Sequence, residues 1–491
     1  MVLAFATALC FVSGFFVVSA ASPKRASRLR LPLRLSLSAG FGLGIFSVVF
    51  FVERCFRTKH LLAIDVATTL SLFVLYAWRR KRGASAIELP QEFDDLNLPG
   101  WLIRLTTVAL GIGLIVALYS AILRTIVHSH GDGWDAFAIW NLHARFLFLG
   151  GPNWRDGFTT VIPWSHPDYP LLLPAAIAHF WTYLGIDHPA VPGITSLVFT
   201  ISTLSVLYFS LNQIRGRNCA TLATLALAST PFFVEQGSAQ YADVPLSFFF
   251  LTTVGLCCLA YRQHYGSSGT LVLAGASAIL AAWTKNEGLL FLFSALFVQF
   301  LLIVLSHLRA RRSDSKHVPT EICGWKALAA FFLGILPVLL LILWFKHFIA
   351  PHGDLFSAPA SMLDKLLAPS RAWNVLRWYV RQFFRFGHWW IAPGTVLLVV
   401  LYLAADRHPS HSVNRGISIS RWTLALTLIG YFVIYLITPY DIYWHLRFSL
   451  SRLFLQIWPS VLFLFFTSVS LAPRQKHVKT DVKSVQLSDF V

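Results

Sequence analysis

The sequence predicts an all-α polytopic membrane protein with about thirteen transmembrane helices. Three observations carry that prediction. Apolar runs of roughly 20 residues, each long enough to cross a bilayer, recur from one end of the chain to the other. Only 13% of the 491 residues are charged against 56% hydrophobic, a balance that no ordinary soluble protein shows. The basic residues behind the net charge of +18 fall in short clusters between the apolar runs.

Those clusters are Lys24, Arg25, Arg28, Arg30 and Arg34; Arg79 to Arg82; Arg215 and Arg217; and Arg309, Arg311, Arg312 and Lys316. Their spacing is the positive-inside pattern that orients membrane helices, and it argues against a nucleic-acid partner, which would need one continuous basic patch. The six cysteines have no metal-binding spacing; Cys10, Cys219, Cys257 and Cys258 lie inside apolar runs as small core residues, and Cys55 and Cys323 lie near segment ends. The opening MVLAFATALCFVSGFFVVSA lacks a basic leader and is followed by strong positive charge. It reads as a first span with its N-terminus outside, not as a cleaved signal.

The expected spans are 1–20, 37–53, 60–78, 101–123, 191–212, 218–231, 244–261, 270–284, 287–306, 327–349, 391–405, 421–438 and 452–471. Starting outside, their parity places every basic cluster on the cytoplasmic face, together with 406–416 and a polar tail that reads as disordered. ERCFRTKH at 53–60 breaks the rule and falls outside. The chain divides into N-terminal spans and basic linkers (1–100), a transmembrane core with its first outer loop (101–310, loop 124–190), C-terminal spans with a second outer loop (311–471, loop 350–390) and a tail (472–491). Irregular backbone of such length cannot face lipid, so both loops fold above the membrane or line a cavity. Most acidic groups outside the spans lie on that outer face, and chemistry is expected there.

Six segments on that face carry reactive side chains. GDGWDAFAIWNLHARFLFLGG (131–151) holds Asp132 and Asp135; from Asp135 to Leu149 it has no Pro or Gly and reads as a helix lying along the membrane surface. Asp135 then stands at a helix start, where the dipole favours a carboxylate and where a plain N-cap is the simpler role. IPWSHPDYPLLLPA (162–175) fixes His166 and Asp168 on an extended, Pro-rich return to the membrane. EQGSAQYADVPLSFFFLTT (235–253) sets Asp243 at the mouth of a span, with capping again the simple reading.

AILAAWTKNEGLLFLFSALF (278–297) is an apolar stretch interrupted by Lys285, Asn286, Glu287 and Gly288, either a solvated turn or a phosphate clamp. In SRAWNVLRWYVRQFFRFGHWW (370–390), Arg377, Arg381 and Arg385 recur every four residues among Trp373, Trp378 and three phenylalanines. Such a helix lies in the interface and attracts anionic headgroups, or serves only as an anchor. TPYDIYWHLRFSLSRLFLQIWPS (438–460) surrounds the start of the last span with His445, Arg447 and Arg452. A bidentate Arg there suits a phosphate.

In this order the segments resemble the membrane-embedded family C glycosyltransferases, closest to the dolichyl-phosphate-mannose protein mannosyltransferase and lipid A aminoarabinose transferase group. The likeness rests on WDAFAIWNLHARFLFLGG, SHPDYPLLLP, QYADVPLSFFF and WTKNEGLLF, and covers roughly 100–310 well and the C-terminal third loosely. Three departures stand out: Ala136 follows Asp135 where relatives carry an acidic pair, Asp168 replaces one of two consecutive prolines, and KNEG replaces a direct Lys-Gly.

The resemblance implies an integral membrane enzyme, in a bacterial inner or plasma membrane, with its active site on the extracytoplasmic face. It would move a hexosyl or pentosyl group from a polyprenyl-phosphate donor to a protein, lipid or glycan acceptor, with inversion. Asp135 would be the general base. Lys285, Glu287, His445, Arg447, Arg452 and Arg381 would surround the donor phosphate, and Asp243, His166, Asp168 and Asp132 would position the acceptor or a divalent metal ion. No other cofactor is expected. The competing functions are a secondary transporter, which would show internal repeats and midplane ionisable groups, a lipid-linked glycan polymerase or ligase, whose late outer loop is rich in Arg and His, and a scaffold without chemistry.

Overall fold

A computed structural model describes residues 2–21, 29–56, 60–82, 95–96, 98–262, 268–312, 322–353, 355, 359–389, 394–404, 406–407 and 414–470. Among these the chain forms helices throughout, apart from a two-residue antiparallel pairing of 406–407 with 469–470. The N-terminal third contributes α1 (Val2–Ala21), α2 (Leu31–Phe56), α3 (Leu61–Arg82) and α4 (Gly100–Val127). The first outer loop holds α5 (Asn141–Leu149), preceded by one π-helical turn at Ala136–Trp140, and two short 3-10 turns. It returns through α6 (Leu172–Leu184) to α7 (Ala190–Ile214), α8 (Arg217–Ala228) and α9 (Pro231–Ser238). The centre is built by α10 (Asp243–Arg262), α11 (Ser268–Thr284), α12 (Asn286–Arg312) and α13 (Ile322–Phe348). The second outer loop holds α14 (Pro359–Leu367) and α15 (Pro369–Arg385), before α16 (Gly394–Ala404), α17 (Asn414–Ile437) and α18 (Ile442–Ser468).

Ten of these helices are long and apolar enough to span a membrane: α1 to α4, α7, α10, α12, α13, α17 and α18. The other three expected spans form shorter helices, α8, α11 and α16. The all-α polytopic architecture read from the sequence therefore stands, with fewer full-length spans.

Helix α10 is the hub and is almost wholly buried, with α11 beside it. Where α11 crosses α13, a Cβ added to Gly275 would stand 1.9 Å from the Phe331 carbonyl oxygen, so this crossing requires glycine. Close backbone approach of this kind holds helices together where lipid supplies no hydrophobic drive. By contrast α3 and α4 leave Leu70, Phe73, Val74, Val108, Ile112 and Ile115 on the outside, the apolar cover a bilayer demands.

The two ends of the bundle differ chemically. At the basic end, Asp95 accepts from the Asn218 and Cys219 backbone N–H groups at the start of α8 (3.0 and 3.1 Å), and Arg215 donates to the Thr467 carbonyl (3.0 Å). At the loop end, Arg54 donates to the carbonyl of Gly151 (3.2 Å). That bond puts the end of α2 beside the first loop, which uses one of the cations of the 53–60 stretch. The tail 472–491 lies outside the described residues.

Candidate active site

Five charged side chains from four segments meet at the loop end. Asp135 comes from the residue before the π-helical turn, Asp243 from the first position of α10, Lys285 and Glu287 from the junction of α11 and α12, and Arg452 from α18. The junction is sharp for a local reason. Lys285 N–H closes α11 on the Ala281 carbonyl (3.2 Å) and Gly288 N–H turns back to the Lys285 carbonyl (2.9 Å). A Cβ on Gly288 would lie 2.0 Å from the Ala281 oxygen. Glycine therefore permits the turn that throws Lys285, Asn286 and Glu287 inward.

The five groups form one continuous chain. Arg452 Nη1 donates to Asp135 Oδ2 at 2.5 Å, and its Nε lies 3.7 Å from Asp243 Oδ2. Lys285 Nζ binds Asp243 Oδ1 at 3.1 Å and Glu287 Oε1 at 2.8 Å. Gln456 Nε2 donates to the same Asp243 oxygen at 2.6 Å, and Tyr431 Oη donates to Gln456 Oε1 at 2.7 Å. The Tyr241 ring lies under the Arg452 guanidinium, 5.2 Å from its centroid. Asp243 is 1% exposed and Lys285 4%, a depth at which unpaired charge is prohibitive. Three carboxylates share two cations here, so the cluster carries a net negative balance when all are ionised.

Each residue expected at the site has a definite place. Asp135 stands at the helix start, but its side chain makes no cap bond there and is turned to Arg452 instead. Asp168 is bound by Asn286 Nδ2 (2.8 Å), while Lys346 holds Asn286 Oδ1 (2.9 Å) and the Asp168 carbonyl. His166 has a left-handed backbone (φ 51°) and stacks on Tyr169, which stacks in turn on Trp140. His445 contacts Thr438 Oγ1 through Nδ1 at 3.0 Å. Asp132 pairs with Arg124 away from the cluster; Arg124 also lies 3.9 Å from Glu235, and Glu235 lies 3.3 Å from His388 of the second loop. The His388 hydrogen bond holds the Glu235 carboxyl below the usual range, against partial burial.

Helix 136–149 does not lie loosely on the surface: Ala138, Ile139, Trp140, Asn141, His143, Ala144 and Leu147 are buried. Asn141 is tied to Gln240 Oε1 (2.8 Å), three residues before Asp243, which fixes the first loop against α10. Burial lowers the His143 pKa to about 3, so this imidazole is neutral.

Arg381 and Arg447 stand apart from the cluster. They line a groove of about 970 Å³ between α15 and α18, with Arg385, Trp378, Trp444 and Phe448. Ser451, the neighbour of Arg452, forms part of its wall. Among the described residues no set of three or more His, Cys, Asp or Glu side chains is arranged to hold a metal ion. Asp132, Asp168 and Asp243 each belong to a different set of partners.

Sequence reasoning overlooked Gln456, Tyr431 and Lys346. Gln456 and Lys346 were detectable as polar residues within otherwise apolar runs, the standard mark of a buried partner. Tyr431 had no such signal.

Many apolar helices, two folded loops at one end and a buried charged chain beneath them define a polytopic membrane protein with an enzyme-like site. Residues 165–341 match the model of the dolichyl-phosphate-mannose-protein mannosyltransferase family, a little over a third of the chain. The match supports a family C glycosyltransferase-like assignment and glycosyltransferase activity in general. It spans His166, Asp168, Asp243, Lys285 and Glu287, and leaves Asp135, the α15–α18 groove and Arg452 outside it. No curated protein and no solved structure matches the chain.

Proposed function

We propose that the protein transfers a sugar from a polyprenyl-phosphate donor to an acceptor hydroxyl or amine at the extracytoplasmic face, with inversion. The observation that carries this reading is the Asp135–Arg452–Asp243 chain, a carboxylate held at the loop end by a cation. Arg452 engages Oδ2 of Asp135 and leaves Oδ1 to accept a proton. As the acceptor oxygen or nitrogen forms its bond to the anomeric carbon, its proton passes to Asp135. The bond from that carbon to the phosphate oxygen breaks, and its electron pair leaves with the lipid phosphate. In-line displacement needs one base and no covalent glycosyl-enzyme.

Lys285 and Glu287 support this arrangement as partners of Asp243 rather than as the phosphate seat, because Lys285 is already shared by two carboxylates. Asp243 and Gln456 hold Arg452 in place. Asp168, fixed by Asn286 and Lys346, and His166 on its rigid turn form the wall on the acceptor side.

The test is transfer from radiolabelled polyprenyl-phosphate sugars to a membrane extract by purified wild type and Asp135→Asn. Asn keeps the size and the bond to Arg452 but cannot accept a proton. The expected result is a loss of about a hundredfold or more in rate with donor retention unchanged. Near-wild-type transfer by the variant would reduce Asp135 to a partner of Arg452.

A further inference from the structure

Tyr241 carries no charge, yet it touches both halves of the Asp135–Arg452 pair. Its ring lies under the Arg452 guanidinium, 5.2 Å from Cζ to the ring centroid. Its hydroxyl lies against Gly133, two residues before Asp135: a Cβ added to Gly133 would stand 2.6 Å from Tyr241 Oη, with the ring carbon behind it at 3.7 Å. Gly133 has φ +100°, so both its backbone and the phenol tip demand glycine there. Burial and the Asp135 carboxylate push the phenol up to about 12, against the Arg452 guanidinium and the Asp135 backbone. Tyr241 is therefore an un-ionised phenol set between a cation and the loop that carries the carboxylate.

The chain before Tyr241 is stitched to the first outer loop. The Ala239 carbonyl accepts from the Asp132 N–H (3.3 Å), Gln240 Nε2 donates to the Ser129 carbonyl (3.1 Å), and Gln240 Oε1 accepts from Asn141 (2.8 Å). Gln240 is 3% exposed and has a left-handed backbone (φ 63°), uncommon outside glycine and held here by those bonds. That turn brings the phenol to Gly133, while Asp243, two residues on, reaches Arg452 Nε at 3.7 Å.

We infer that Tyr241 is a positioning residue for the transfer: its hydroxyl props the loop at Gly133, its ring carries Arg452, and the phenol thereby fixes how Asp135 and Arg452 meet. The chemical consequence rests on the proposed role of Asp135 as base, whereas the prop itself rests on the contacts alone. When Asp135 takes the acceptor's proton its charge is neutralised, and Arg452 loses its ionised partner there. The Tyr241 face and Asp243 keep the guanidinium in place through that step, so the carboxyl can release the proton and meet the same cation again. A displacement of about 1 Å at such a pair costs on the order of a hundredfold in rate.

The experiment is a double-substitution cycle on the full-length protein in detergent. It is read by labelled-sugar transfer, as kcat and as KM for the polyprenyl-phosphate donor, and by melting temperature. Gly133→Ala drives a Cβ against the hydroxyl and should lower kcat about a hundredfold, with KM within about twofold of wild type. Tyr241→Phe keeps the ring under Arg452 and removes only the prop, and should lower kcat about tenfold. The two together should do no worse than Tyr241→Phe alone, because the nearest remaining atom is the ring carbon at 3.7 Å, an ordinary contact. Backbone strain at position 133 is the same in both backgrounds. Gly185→Ala, at a positive φ (76°) with nothing within 4 Å, is the control for strain without a clash and should leave kcat unchanged. Losses that multiply in the double variant would show two independent residues and overturn the inference. Wild-type transfer by Tyr241→Phe would overturn it too, as would a raised KM at unchanged kcat, the mark of a substrate contact. Failure of the base assignment reads differently. In that case Asp135→Asn transfers like wild type, while the drop in melting temperature from Gly133→Ala still shrinks in the Tyr241→Phe background.

Discussion

Two buried ionic clusters among the described residues differ in what surrounds them. In the first, Asp243 and Lys285 sit among Arg452, Asp135, Glu287 and Gln456, and the chain of charges runs out to Asp135 in the first outer loop. In the second, Asp65 of α3 accepts from Tyr183 Oη (2.6 Å) and pairs with His179 Nε2 (2.7 Å), both on α6. Asp65 is 0% exposed and His179 1%. Phe46, Phe50 and Phe180 pack around the imidazole. The first cluster has more charges than it needs to neutralise itself; the second is a hydrogen-bonded knot among aromatic rings. Buried charge in a membrane protein is thus a weak sign of chemistry by itself. A path outward and an unspent charge are the stronger sign.

The comparison breaks most sharply at Lys285. Lys285→Met leaves Asp243 and Glu287 deep in the bundle with one cation fewer. The expected cost is about 3–5 kcal/mol of stability, with transfer abolished. Thermal unfolding in detergent and labelled-sugar transfer read the two effects. A variant that melts like wild type would show that Arg452 and Gln456 alone satisfy Asp243.

Asp65→Leu is the matching test of the second cluster. It strips His179 and Tyr183 of their shared acceptor, and roughly 3 kcal/mol of stability should be lost. Transfer per folded molecule should stay within about twofold of wild type, since nothing there reaches the reacting groups. A hundredfold fall in rate at unchanged melting temperature would place Asp65 in the catalytic path and erase the distinction drawn here.

These two clusters also show what the sequence could disclose. The apolar runs made the all-α membrane fold legible, because a bilayer imposes span length on composition. The ordered polar interruptions exposed Asp135, Asp243, Lys285 and Arg452, since each breaks an apolar pattern at a span mouth. Their pairing was not legible: Asp135 and Arg452 are more than three hundred residues apart, and a helix start offered capping as an equally good role. Asp65 lay inside an expected span and His179 within an apolar helix, visible as anomalies but without any local clue that they met. Helices α8, α11 and α16 read as spans on hydropathy, yet they are shorter than the ten helices long enough to cross a membrane.

A smaller effect is expected at the second ring of the first cluster. Tyr431→Phe removes the donor to Gln456 Oε1 and leaves that buried oxygen unpaired, costing about 1–3 kcal/mol. Gln456 then holds Asp243 less firmly, and Arg452 with it. Because Tyr431 acts through others, the rate should fall by roughly tenfold with retention of undecaprenyl phosphate unchanged. Loss of lipid retention would tie α17 to donor binding instead.

The smallest effect is a pH slope, and it separates the loop from both clusters. His143 is wholly buried in helix 136–149 and its folded pKa is lowered by burial to about 3, from an ordinary value near 6.5. Between those values the unfolded chain binds a proton that the folded chain refuses. Its contribution to stability is therefore intact above pH 6.5 and declines as the pH falls toward 3, by about 1.4 kcal/mol per unit well inside the window. Melting temperature measured from pH 7.5 to 4.5 should fall more steeply for wild type than for His143→Asn, even where the variant starts lower. The Glu235 carboxyl, held below its usual range by His388, adds a loss of the same sign only at the acid end of that scan. Parallel curves would mean that the imidazole is hydrated or protonated in the folded protein, and that the first loop packs less tightly over Asp135 than its buried face implies.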